Sequence, residues 1–277
     1  MPKAPRQKPP VLNPEAEWFG KTRVSPADKT ARVRRVFDSV ATNYDLMNDL
    51  MSGGLHRLWK DRLVELMRPR AGQSILDVAG GTGDIALRCL SRAKGKARII
   101  VCDINPSMLD VGKAKAIDHG WLPCPPPLEG GVRGGVCKGN SSIQWLTANA
   151  EALPFPNRSF DTVCIAFGLR NVTHVDTALA EFARVLKPGG RFFCLEFSPG
   201  VAPWLKEIYD LYCSTVLPWL GETVAEDRDA YRYLAESIQK FPPQPALARR
   251  MEEAGLERVK WENLTGGIAV IHSGWRL

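Results

Sequence analysis

Ile75-Leu76-Asp77-Val78-Ala79-Gly80-Gly81-Thr82-Gly83-Asp84 is a short apolar run that ends on an acidic residue, turns through three glycines, and opens into the helical pattern Ile85-Ala86-Leu87-Arg88-Cys89-Leu90. Glycines let a backbone pass close to a ligand with no β-carbon in the way. The N–H groups at the start of the following helix are free to receive polar or anionic groups. Several nucleotide-binding folds use such a turn, so the turn alone does not choose among them. A second acidic residue, Asp103, stands twenty residues beyond Gly83 at the end of the run Ala97-Arg98-Ile99-Ile100-Val101-Cys102. A carboxylate there suits a ribose diol, whose two hydroxyls each need an acceptor.

Outward from this motif, apolar runs and helical patterns alternate, which predicts a parallel sheet covered on both faces. Strands are expected near 74–79, 97–103, 143–148, 160–165 and 190–197, with helices near 83–93, 106–116, 173–187 and 203–217. Two helices, about 29–41 and 55–67, precede the first strand. The chain ends differently: runs 256–263 and 267–274 are joined by Leu264-Thr265-Gly266-Gly267, too short for a helix, and read as an antiparallel hairpin. Methyltransferase-type sheets end this way and dehydrogenase-type sheets do not. The expected fold is therefore α/β, a class I S-adenosylmethionine-dependent methyltransferase fold with a mostly parallel sheet. Residues 1–28 are read as a basic disordered tail and 29–277 as the methyltransferase domain. Within it we expect an N-terminal helical cap (29–70), a proline- and glycine-rich surface insertion (118–142), and a helical lid (203–254).

The 277 residues suffice for a full core, and 44% hydrophobic with 24% charged residues is an ordinary globular composition. No apolar stretch approaches the roughly 20 residues that cross a bilayer, and no secretory segment is recognisable. Net charge is +7, but residues 1–35 hold nine Lys/Arg against three Asp/Glu and so supply +6. The remaining body is close to neutral, which argues against nucleic acid as a partner. Seven cysteines are scattered with no CxxC pair or His/Cys cluster. Metal binding is not expected, and reduced thiols point to a cytoplasmic setting.

Glycine spacing separates two cofactor classes. A dinucleotide fingerprint needs G-x-G-x-x-G, whereas here Gly81 and Gly83 follow Asp77 in a D-x-x-x-G-x-G frame. S-adenosylmethionine has no pyrophosphate; its amino-acid end lies on the loop and its adenosine along the ends of the second and third strands. Asn149-Ala150-Glu151, after the third strand, stands where an adenine would be held. Asp77, Gly81, Thr82, Asp103, Asn149 and Ala150 form the expected cofactor set.

The chain also resembles the ubiquinone/menaquinone biosynthesis C-methyltransferase family from about Val36 to Arg276. The resemblance rests on Tyr44-Asp45-Leu46-Met47-Asn48-Asp49, His56-Arg57-Leu58-Trp59-Lys60, the glycine loop, and Ala148-Asn149-Ala150-Glu151-Ala152-Leu153-Pro154-Phe155. It continues in Ala166-Phe167-Gly168-Leu169-Arg170-Asn171-Val172-Thr173, Leu195-Glu196-Phe197-Ser198 and Glu236-Ser237-Ile238-Gln239-Lys240-Phe241-Pro242. Leu186-Lys187-Pro188-Gly189-Gly190 is shared by many class I methyltransferases and discriminates little. The resemblance implies methyl transfer from S-adenosylmethionine to a ring carbon of a polyprenylated quinol, with Thr82, Asp103, Asn149 and Ala150 at cofactor positions. Ala166 departs from the family's frequent serine, which removes a hydroxyl contact.

Ring carbons are poor nucleophiles until a neighbouring phenol loses its proton, so the site needs a group that steadies a phenolate and a route for protons. Arg170, just past the fourth strand on the ligand-binding rim, is the expected holder, with Asn171 and Tyr44 completing the hydrogen bonds. A guanidinium cannot itself act as base, so its part would be to hold the phenolate or orient a water. A structural salt bridge is the competing role for Arg170. His56, on an amphipathic helix, and His174, beside the helix-capping Thr173, are read as packing and first-turn residues. The apolar residues of 203–219 and 231–241 are candidates to receive an isoprenoid tail. Expected partners are a polyprenyl quinol, peripheral contact with an inner membrane face, and a homodimer or quinone-biosynthesis complex. The rival readings are a methyltransferase on another small or lipid acceptor, and a non-catalytic member of such a complex.

Overall fold

The computed structural model describes residues 17–20, 22–40, 48–49, 52–122, 142–202 and 228–277. Tyr44, nearly all of the expected insertion (123–141) and the lid residues 203–227 lie outside the described residues.

The first elements among the described residues are a small antiparallel hairpin, β1 (Glu17–Phe19) and β2 (Thr22–Val24), followed by helices α1 (Pro26–Val40) and α2 (Leu55–Met67). The alternating part comprises β3 (Ser74–Val78), α3 (Asp84–Arg92), β4 (Arg98–Asp103), α4 (Pro106–Asp118), β5 (Ile143–Thr147), β6 (Phe160–Ala166), a 3₁₀ turn (Leu169–Asn171), α5 (Val175–Val185) and β7 (Leu186–Phe197). The last elements are α6 (Arg228–Lys240), α7 (Gln244–Glu253), β8 (Glu257–Leu264) and β9 (Ala269–Trp275).

Seven strands form one sheet in the order β5-β4-β3-β6-β7-β9-β8. All pairings from β5 to β7 are parallel, and β9 joins β7 and β8 antiparallel. This is the expected class I methyltransferase sheet with its terminal hairpin. Chain order reverses between neighbours β3 and β6, because β3 continues toward one edge and β6 toward the other. The crevice outside their carboxyl ends is where open α/β sheets bind ligands.

Side-chain alternation along the strands divides the core between the two sheet faces. On β7, Phe193 and Leu195 pack with Trp59, Leu63, Ile85 and Leu90 beneath α2 and α3. Phe192 and Cys194 pack with Leu179, Phe182, Leu247 and Met251 beneath α5 and α7. Strand β3 is buried at all five positions, as a central strand covered on both sides must be. Helix α4 starts where Asn105 accepts the N–H groups of Ser107 and Met108 and Pro106 opens the first turn.

Three expectations are corrected. The tail does not run to residue 28: Glu17–Phe19 pairs with Thr22–Val24 as the β1–β2 hairpin, and α1 starts at Pro26. Three-residue strands carry too little periodicity to be legible alone. They hold here through tertiary contacts: the Phe19 ring stacks on Tyr233 of α6 at 4.2 Å, and Lys240 and Arg23 flank the Trp18 ring. Helix α7, expected in the lid, instead packs on α5, β8 and β9 as part of a sheet-covering layer. Finally, the helix expected over 173–187 ends at Val185, because Leu186 already pairs with Phe160 in the sheet.

Candidate active site

At the crevice between β3 and β6, where open α/β sheets bind ligands, lies a cleft. Its walls include Gly81, Asp103, Asn149, Ala150 and Asn171, brought together from four separate loops. The glycine loop forms its floor. Gly81 has φ +52°, and its N–H donates to Asp103 Oδ2 at 2.9 Å. Gly83, at φ +74°, starts α3 with no room for a β-carbon, since one would meet the Trp145 ring at 2.3 Å. Gly83 therefore serves helix packing, while Gly81 faces the cleft.

Asp103 accepts Gly81 N–H on one oxygen and Asn105 N–H, at 2.8 Å, on the other. Each carboxylate oxygen keeps a lone pair, the arrangement two adjacent hydroxyls require. The residue is only half-buried but its carboxyl is enclosed; burial pushes it up to about 6, against the N–H groups of Asn105, Gly81 and Ile104, which favour the ionised form. Asn149 uses its Oδ1 to accept Glu151 N–H at 3.0 Å, so its amide N–H groups remain as donors beside Ala150 on the wall. Glu151 holds the next segment: Oε1 accepts the N–H groups of Thr173 and His174, and Oε2 meets His174 Nδ1 at 2.6 Å.

Helix α1 roofs this cleft, which sequence reading did not foresee beyond placing it in a cap. Val33 and Phe37, spaced one turn apart, line it. Three contacts fasten the roof to the sheet: Asn105 Nδ2 to Asp38 at 2.9 Å, Lys29 Nζ to Val172 O at 3.0 Å, and Thr30 to Thr173 between hydroxyls at 3.0 Å. Met108, Ile104 and Phe167 complete the apolar walls. Their signal was weak, because each reads equally well as core.

The structure places Arg170 differently from expectation. Its side chain is 4% exposed and pairs with Glu196 of β7 at 2.7 Å, and the same nitrogen donates to Phe167 O at 2.7 Å. Glu196 also accepts the backbone N–H groups of Arg170 and Phe197. A guanidinium held this deep requires a counter-charge, and Glu196 supplies it. Arg170 is off the cleft wall; the neighbouring Asn171 is on it. The competing structural role is thus the one the geometry displays. Asn171 accepts the Tyr233 hydroxyl on Oδ1 at 2.9 Å, and its amide nitrogen lies 3.4 Å from Phe167 O.

Asp77 and Thr82, expected to touch the cofactor, are 1% and 2% exposed and do not line the cleft. Asp77 Oδ1 accepts the Cys164 thiol at 3.5 Å and Oδ2 has no partner among the described residues. Burial pushes its carboxyl up to about 7. Its place under Gly80, where a β-carbon would come within 3.0 Å of the carboxyl, makes it a support for the loop. His56 is buried on α2 and meets Asp49 at 2.8 Å, away from the cleft. Burial, then the charge of Lys60, lowers its pKa, so it is a neutral packing residue. Lys60 itself pairs with Asp84 at the start of α3 at 2.7 Å.

The half-bound carboxylate of Asp103, the amide donors of Asn149 and the glycine floor fit the ribose, adenine and amino-acid parts of S-adenosylmethionine. Solved structures share the architecture: a methyltransferase from Aquifex aeolicus described as S-adenosylmethionine-dependent (TM-score 0.52, 14% identity, 79% of this chain and 89% of that one) and the [4+2]-cyclase SpnF (TM-score 0.60, 16% identity, 89% and 96%). The second shows that this fold alone does not define a reaction. Sequence relatives are far closer. A protein of Bartonella tribocorum named ubiquinone/menaquinone biosynthesis C-methyltransferase UbiE is 51% identical, over 94% of each chain. A mitochondrial 2-methoxy-6-polyprenyl-1,4-benzoquinol methylase of Oryza sativa subsp. japonica is 48% identical over 96% of this chain and 90% of its own. The family model described as ubiE/COQ5 methyltransferase matches residues 26–276, from the first residue of the α1 roof to the end of β9, so cleft and sheet together lie within the match and the chain belongs to the ubiE/COQ5 methyltransferase family.

Proposed function

We propose that this protein transfers a methyl group from S-adenosylmethionine to a ring carbon of a polyprenylated benzoquinol or naphthoquinol in ubiquinone or menaquinone biosynthesis. The observation that carries the reading is the convergence of Asp103, Asn149 and Asn171 on one roofed cleft, in a chain of this family. When bound, the donor supplies an electrophilic methyl on a sulfonium. Asp103 binds the ribose hydroxyls, Asn149 and Ala150 flank the adenine, and the floor at Gly81 receives the amino-acid end. Asp77 holds the floor from behind.

Asn171 faces the acceptor. Its remaining amide N–H donates to the quinol oxygen as negative charge develops there, which favours electron density on the ring carbons. Arg170 and Glu196 hold the turn that presents Asn171, and Tyr44 is retained as a further hydrogen-bonding partner. Val33, Phe37, Met108 and Phe167 exclude water around the reacting atoms. Because the acceptor carries an isoprenoid tail, the protein works in peripheral contact with a membrane surface, which the +6 charge of residues 1–35 supports where lipids are anionic. A homodimer or a quinone-biosynthesis complex is the proposed assembly.

Incubation with methyl-labelled donor and a demethylated quinol tests this. Label is expected in the quinol ring with the wild type and lost with Asp103→Ala. Donor binding without any transfer would instead identify a non-catalytic relative.

A further inference from the structure

We propose that Tyr233 of α6 is a positioning residue for the methyl-transfer step, acting through the side-chain amide of Asn171. The inference rests on the reaction proposed above. Asn171 lies on the cleft wall, whereas Tyr233, 4% exposed, does not line the cleft. The two meet at 2.9 Å between the phenol oxygen and Asn171 Oδ1.

The orientation of that amide follows from its surroundings. One edge lies against the Phe167 carbonyl, which can only accept, so the nitrogen belongs there and the oxygen belongs toward Tyr233. The phenol must then donate. Burial, followed by the charge of Glu196, pushes the Tyr233 hydroxyl above its ordinary range while Arg170 opposes, so it keeps its proton at working pH. With the oxygen held by Tyr233, one amide N–H is directed at Phe167 and the other is left for the acceptor. A flipped amide would present an oxygen to a developing phenolate, which repels it. At 3.4 Å the Phe167 contact is too long to prevent the flip by itself.

The ring of Tyr233 is in turn fixed by Phe19, stacked on it with planes 15° apart. The N-terminal hairpin thereby reaches the reacting oxygen through three residues: Phe19, Tyr233 and Asn171. This gives the β1–β2 hairpin, which holds no cleft residue, a part in catalysis.

Tyr233→Phe keeps the stack and removes only the hydroxyl. A kcat lowered about tenfold is expected, with donor Kd and Tm as in wild type. The double variant Tyr233→Phe/Asn171→Ala is expected to be no slower than Asn171→Ala. Full activity in Tyr233→Phe, or losses that multiply in the double variant, would overturn the proposal. A second measurement is independent of the acceptor. The Asn171 side-chain amide signal in ¹⁵N spectra, assigned by its absence in Asn171→Ala, should shift in Tyr233→Phe as the amide samples both orientations. An unchanged signal also overturns the positioning role. If wild type methylates no quinol yet this signal shifts, the reaction assignment fails and the positioning stands.

Discussion

Asp38 on α1 accepts a 2.9 Å hydrogen bond from Asn105, the residue that caps α4 two positions after Asp103, so roof and floor of the donor cleft are joined through one side-chain amide. Asp38 is exposed, but Asn105 is only 2% exposed, so loss of Asp38 leaves a buried amide N–H without this acceptor. Asp38→Ala is therefore expected to weaken donor binding roughly fivefold, the equivalent of one ordinary hydrogen bond of about 1 kcal/mol, and to lower Tm by a few degrees. Titration calorimetry and thermal melting check this. Unaltered affinity would mean that the roof needs no such tie.

Donor affinity should depend on pH through Asp103. Hydroxyl donors favour the ionised carboxylate, and burial holds this carboxyl at about 6 in the free protein. Affinity is expected to be constant above about 6 and to fall by up to about tenfold per pH unit below it. A donor analogue with a 2′-deoxyribose should show a smaller change. Calorimetry from pH 5 to 8 measures both, and a flat profile would remove Asp103 from the diol-binding role.

Asp77 predicts a stability effect of opposite sense to an ordinary carboxylate. Its pKa is raised by burial from 3.8 to about 7, so between those values the folded protein holds a proton that the unfolded chain has released. The folded state is favoured at the acid end of that window and loses support as pH rises through it, by up to about 1.4 kcal/mol per unit. Asp77→Asn, which carries no such charge, should be the more stable protein at pH 8, and the advantage should shrink toward pH 5. Denaturant unfolding at the two pH values reads the difference.

Arg170 and Glu196 can be separated into structural and catalytic parts. Glu196→Gln leaves a buried guanidinium without a counter-charge and is expected to cost about 3–5 kcal/mol in unfolding free energy. Replacing both residues by apolar ones, Arg170→Met with Glu196→Leu, should recover most of that stability. Methyl transfer should not recover, because the turn bearing Asn171 loses the bonds that Glu196 accepts from Arg170 N–H and that Arg170 makes to Phe167 O. Full turnover in the stable double variant would show that the pair serves only folding.

Lys60 and Asp84 give the last prediction. Burial raises the Asp84 carboxyl, but Lys60, then Arg88, more than offset it and hold it at about 2. The stability this supplies is complete above the ordinary value of 3.8 and is lost as pH falls toward 2. Lys60→Met should lower Tm at pH 7 by several degrees, less than a fully buried pair would, since Asp84 is partly exposed and keeps Arg88. Melts of both proteins at pH 7 and 3 check it; the gap between them should narrow at the lower pH.

Strands β3 to β7, the terminal antiparallel hairpin, the glycine floor and Asp103 were legible in the sequence because each is a local pattern: an apolar run, a glycine cluster, an acidic residue at a strand end. Gly81, Asp103, Asn149, Ala150 and Asn171, each named from the sequence, all line the cleft. The β1–β2 hairpin was not legible, since three-residue strands have no period, and what holds Phe19 is Tyr233, more than two hundred residues away.

What the sequence by itself determined was the order of elements, and with it the crevice where chain order reverses, because periodicity and turn chemistry are properties of neighbouring residues. Which side chains face that crevice was decided only by tertiary structure. Arg170 and Asn171 are adjacent in the chain, yet one is drawn back to the buried charge of Glu196 and the other is left on the wall. Asp77 and Gly81 share one motif, yet the carboxylate lies behind the loop and the glycine in front of it. The physical reason is the same in both cases: a side chain's direction is set by partners that folding brings from other strands, and no local pattern encodes them.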